Sequence, residues 1–159
     1  MMAKLTDAAK AVLMFDFEGR EYRLSPLELD DLAELQRWVE TLPYDRARRK
    51  LVALGDMVTP EMRDKVIADA DETAKAAGIS SPYFVTSISS LEGTAYCLYL
   101  CLRAAHPDIT RKDASKIITI KTLTEWQARI DKVSGLTVDE DEARPTDGVD
   151  SQTPPSTTP

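Results

Sequence analysis

Apolar positions along the chain change from a period of two to a period near 3.6 at about residue 25, which predicts a hairpin followed by a helical body. Val12-Leu13-Met14-Phe15-Asp16-Phe17 and Arg20-Glu21-Tyr22-Arg23-Leu24 read as two strands, with Glu18-Gly19 as the turn and Tyr22 and Leu24 on one face. Ser25-Pro26 reads as an N-cap and first-turn pair. Leu29, Leu32, Leu35, Val39 and Leu42 follow at helical spacing, and Pro43 is expected to end that helix. Tyr44 to Leu54 then reads as a short basic helix stopped by Gly55, and Thr59-Pro60-Glu61 opens another that runs to Gly78 with Met62, Val66, Ala70 and Ala74 on one stripe.

The stretch from Ser80 to Ser90 is Ser-rich and contains Pro82, and it is expected to be a packed connector that tucks Tyr83-Phe84-Val85 inward. Beyond it, Ala95 to Leu102 is apolar on nearly every face, which places its helix at the centre of the domain, ending at His106-Pro107. Thr110 to Asp113 and Thr122 to Glu125 both have the spacing of a capped helix start. The last helix carries Trp126, Ile130 and Val133 on one side and closes at Gly135. The expected fold is therefore mainly α, a small N-terminal hairpin followed by about five to six helices in one domain over residues 1–137.

From residue 138 the composition turns to Asp, Glu, Pro, Thr and Ser, which cannot bury enough apolar area to offset the entropy of ordering. Residues 138–159 are expected to be a disordered acidic tail. Its six carboxylates against Arg144 supply five of the chain's seven net negative charges, leaving −2 on residues 1–137. A nearly neutral body lacks the basic surface that nucleic acid or an anionic membrane would need, so neither is an expected partner. The start of the chain reads without the apolar core of a secretory signal, and Ala95 to Leu102 is far shorter than the ~20 residues that span a bilayer.

Candidate chemistry is sparse. His106 is the single histidine and precedes a proline, a poor position for a general base. Cys97 and Cys101 lie four apart on the apolar helix, without the ligand set or loop spacing of a zinc site, and read as core. Carboxylate pairs such as Asp30-Asp31 fall on polar helix faces, and neither a dinucleotide fingerprint nor a phosphate-binding loop is present. No catalytic residue, metal or cofactor is expected. Candidate partner-binding residues are Arg46, Arg48 and Arg49 of the basic cluster, together with Leu35, Trp38 and Trp126 on or beside apolar stripes. A Trp at a stripe's edge suits either a core or an interaction hot spot, and one of the two is expected to be exposed.

Gly19-Arg20-Glu21-Tyr22-Arg23-Leu24, the Leu-rich helix after it, and Tyr99-Leu100-Cys101-Leu102-Arg103-Ala104-Ala105-His106-Pro107-Asp108-Ile109-Thr110 share an order and a pattern with one protein family. Over about residues 11 to 133 the chain resembles the small tail assembly chaperones of long-tailed bacteriophages. That resemblance implies a non-enzymatic protein of the host cytoplasm that binds the aggregation-prone tape measure protein and helps recruit tail tube subunits. The Ser-rich connector and the Pro/Thr tail depart from the family's pattern. They leave open the alternative of a tail or neck subunit retained in the virion, and self-association is open in both cases.

Overall fold

A computed structural model describes residues 13–135; the acidic tail expected from residue 138 lies outside the described residues. Strands β1 (Leu13–Phe17) and β2 (Arg20–Leu24) pair antiparallel, with Phe15 opposite Tyr22 and Leu13 opposite Leu24. Glu18 and Gly19 have φ values of 53° and 76°, both in the left-handed region that a two-residue hairpin turn requires. The Asp16 carboxylate accepts the Gly19 amide across this turn. The inner face of the hairpin is aromatic: Phe15 stacks on Tyr22 at 5.3 Å and meets Trp126 edge-on at 4.7 Å.

Helix α1 spans Leu29–Leu54 and α2 spans Pro60–Lys75, joined by one 3₁₀ turn at Gly55–Met57. Two expectations are corrected here. Ser25 does not cap α1; its amide is drawn to the Cys101 carbonyl at 2.8 Å, which ties the hairpin exit to the central helix. The helix starts after Glu28, whose amide is accepted by the Asp31 carboxylate at 2.8 Å. Nor does Pro43 end the helix, so the expected basic helix is the second half of α1. Proline deprives only the Val39 carbonyl of its helical donor, and α2 lies along α1 on both sides of the buried Pro43, with the Tyr44 hydroxyl donating to Asp71. Packing of two long helices outweighs one missing hydrogen bond.

The Ser-rich connector contains a helix, α3 (Pro82–Ile88), which Ser81 caps through its hydroxyl to the Phe84 amide at 3.0 Å. Phe84 is buried as expected, whereas Val85 faces outward. Gly78 does not cap α2, which ends at Lys75; its carbonyl instead accepts the Ser81 amide on the way into α3.

Helix α4 (Leu91–Arg103) is the axis of the domain, buried from Gly93 to Leu102 except at Tyr99. Helices α5 (Arg111–Ile117) and α6 (Leu123–Ser134) pack around it. Thr110 and Asp113 form the expected capping box of α5. At α6 the Thr122 hydroxyl is used elsewhere, accepting the Thr119 amide at 3.0 Å, so the expected side-chain cap is absent. Gly135, with φ of 67°, ends α6 in the left-handed conformation.

Burial pushes both α4 thiols, Cys97 and Cys101, up to about 12 from an ordinary 9.0. The folded state keeps protons that the unfolded chain releases from pH 9 upward. Stability from this source is therefore full below pH 9 and is lost as the pH rises toward 12. Tyr96, raised to about 12 by burial and by donating to Glu34, acts in the same direction. The melting temperature is expected to fall steeply above pH 9, and both thiols should react with a colorimetric thiol reagent at least about a hundredfold faster in denaturant than in buffer.

Candidate partner-binding cleft

Helices α1, α3, α4 and α6 do not close completely on one another. Between them lies a cleft of about 320 Å³, floored by Leu35, Phe84, Cys97 and Ile130 and walled by Leu27, Leu32 and Ile88. At its rim stand Ile79 and Val85, 45% and 52% exposed, so the apolar lining continues out to solvent. Four polar residues border it, Ser89, Thr94, Gln127 and Asp131. Gln127 is committed, donating to the Ser89 carbonyl at 2.6 Å and to the Thr94 hydroxyl. Asp131 has no hydrogen-bond or ion-pair partner for its carboxylate among the described residues, and burial alone raises its pKa. A half-buried carboxylate next to an apolar groove is an anchor for a cation that brings its own apolar neighbours.

A second cluster joins α1 and α4. The Arg103 guanidinium donates to Asp31 at 2.5 Å and to Glu34 at 2.7 Å, and the Tyr96 hydroxyl donates to the other Glu34 oxygen at 2.6 Å. The Tyr96 hydrogen bond, followed by that from Arg103, holds the Glu34 carboxyl below its usual range. Arg111 lies 3.8 Å over the Tyr96 ring, and Trp38 packs edge-on against Tyr96 at 5.2 Å. The Arg103 guanidinium and the Tyr96 hydroxyl both donate to carboxylates of α1, so the cluster works as a clamp between helices.

The six candidate partner-binding residues do not converge. Leu35 is in the floor of the cleft and Trp126 is in the core under Phe15, so neither offers the free surface expected of it. Phe15 of the hairpin covers Trp126, and Leu35 lies beside Phe84 of α3. Trp38 is half-buried on Tyr96, so neither tryptophan is exposed, against the expectation that one of them would be. Arg46 reaches over the Tyr83 ring, whereas Arg48 and Arg49 point away with Val52. His106 is structural, its Nε2 accepting the Arg23 amide at 2.9 Å. Of the residues that the sequence reading missed, Ile79, Val85 and Ile88 had a faint signal and Asp131 had none. The Ser-rich stretch holds more large apolar side chains than a connector needs, whereas Asp131 shares its flank of α6 with Thr124, Gln127 and Ser134 and nothing in that pattern marks it.

Among the described residues no helix is long and apolar enough to cross a membrane, and no group of three or more His, Cys, Asp or Glu is placed to hold a metal ion. Comparison with family models, curated proteins and solved structures finds no match to this chain.

Proposed function

We propose that the protein is an assembly chaperone for a phage tail, which holds an apolar, helix-forming segment of the tape measure protein in the cleft until tube subunits replace it. The observation that carries this reading is the cleft itself, an apolar groove open to solvent with exposed Ile79 and Val85 at its rim and the unpaired Asp131 beside it. A groove of this kind suits an amphipathic helix whose apolar side chains enter while a flanking Lys or Arg reaches the carboxylate. The resemblance carried by residues 19–24 and 99–110 supplies the identity of the partner. The acidic composition of residues 138–159 suits a protein that must keep an aggregation-prone client soluble.

The test is capture of the proteins encoded beside this one, with mass spectrometry of purified particles in parallel. A long helical partner recovered with the wild type, and at least tenfold weaker binding by Val85→Asp at an unchanged melting temperature, is the expected result. Binding indifferent to Val85→Asp would remove the cleft from the mechanism. Stoichiometric presence in finished particles would replace the chaperone with a virion subunit.

A further inference from the structure

Between residues 44 and 69 no side chain is buried, although these residues form the second half of α1, the turn and most of α2. The two helices make a hairpin whose seam is only half-closed, a single layer that meets the Tyr83 ring of α3 on its other face. One face is marked out by helical spacing. Tyr44, Arg48 and Leu51 fall on one stripe of α1, and Asp64, Ile67 and Asp71 on one stripe of α2, and the Tyr44–Asp71 hydrogen bond joins the two. Tyr44 and Ile67 are nearly half-exposed, and neither Arg48 nor Asp64 has an ionic partner among the described residues.

We infer that this face docks on the same face of a second copy of the chain, forming an antiparallel four-helix bundle. Charge decides both the occupant and the symmetry. Residues 44–54 carry four basic and one acidic side chain, whereas α2 carries five acidic and three basic ones. A twofold axis along the hairpin sets each α1 on the partner's α2, so basic and acidic helices alternate around the bundle. A twofold across the hairpin would stack basic on basic. In the favoured arrangement Arg48 lies over the level of Ile67 of the second copy, between the carboxylates one turn to either side, and Tyr44, Leu51 and Ile67 of both copies close the middle. The cleft lies apart from this face, so the inference is independent of the client it holds.

Sedimentation equilibrium of the full chain from about 1 µM to about 200 µM is the test. A dimer is expected, with Arg48→Glu raising the dissociation constant at least tenfold and the double reversal Arg48→Glu/Asp64→Arg restoring it to within about threefold. Ile67→Lys should also give monomers, with unchanged far-UV circular dichroism showing that the helices remain. A monomer throughout that range overturns the inference, and so does a dimer that is indifferent to both Arg48→Glu and Ile67→Lys.

Discussion

Gly93→Ala is expected to cost about 3–5 kcal/mol, a large share of the ~5–15 kcal/mol that holds an ordinary domain folded, read as a lowered urea midpoint. Propensity alone points the other way, since alanine inside a helix is favoured over glycine by about 1 kcal/mol. The surroundings decide the sign. A Cβ on Gly93 would stand 2.1 Å from the Ser87 carbonyl oxygen and 2.6 Å from the Ile88 Cα, both backbone atoms of α3 that no rotamer change can move aside. Shifting the end of α3 would also pull on a knot of hydrogen bonds: Ser90 donating to the Ser87 carbonyl at 2.6 Å, the Gly93 amide to the Ser90 hydroxyl at 3.1 Å, and Gln127 to the Ser89 carbonyl. Each of these is worth about 1 kcal/mol, added to the overpacking itself. Gly78→Ala is the control, because its Cβ meets nothing within 4 Å; its transition should move by no more than about 0.5 kcal/mol. Equal stability of the two variants would mean that α3 does not approach α4 so closely.

The same α3–α4 contact shows where the amino-acid pattern was legible and where it was not. Strongly periodic or uniformly apolar stretches declared themselves: the hairpin with its Glu18-Gly19 turn, α4 at the centre, and the Trp126, Ile130, Val133 stripe of α6. Local punctuation was less decisive, because its effect depends on what the chain packs against. Ser-Pro occurs twice, at 25–26 where the backbone is pulled straight by Cys101, and at 81–82 where it starts α3. Pro43 reads as a stop, yet α2 holds the helix together through it. The cleft was hidden for a related reason. Its walls come from α1, the consecutive α3 and α4, and α6, three stretches far apart in sequence, and its rim residues Ile79 and Val85 sit in a segment whose serines disguise a helix. Of the site residues named from sequence, Leu35 alone lies in the cleft, and it does so as floor rather than as surface.

Arg103→Met is expected to cost about 2–3 kcal/mol, below the 3–5 kcal/mol of a fully buried broken ion pair because the side chains are partly wet. Arg103 is 32% exposed, Asp31 12% and Glu34 36%, so truncation leaves one carboxylate nearly enclosed and another half-screened. Methionine keeps much of the aliphatic volume, which separates the loss of charge from the loss of packing. Arg103→Lys should recover only part of the loss, since one ammonium cannot present two guanidinium nitrogens to carboxylates on successive turns of α1. The pH dependence carries the sign of the effect. Glu34 is held below 4.5, first by Tyr96 and then by Arg103, so its contribution is present above pH 4.5 and is lost as the pH falls through the lowered folded value. The Met variant keeps the tyrosine but lacks the cation, so its deficit relative to wild type should narrow below pH 4.5, where a protonated Glu34 no longer needs a positive partner. A deficit that stays constant across that range in urea titrations would mean that Arg103 holds α1 to α4 by its aliphatic contacts and not by its charge.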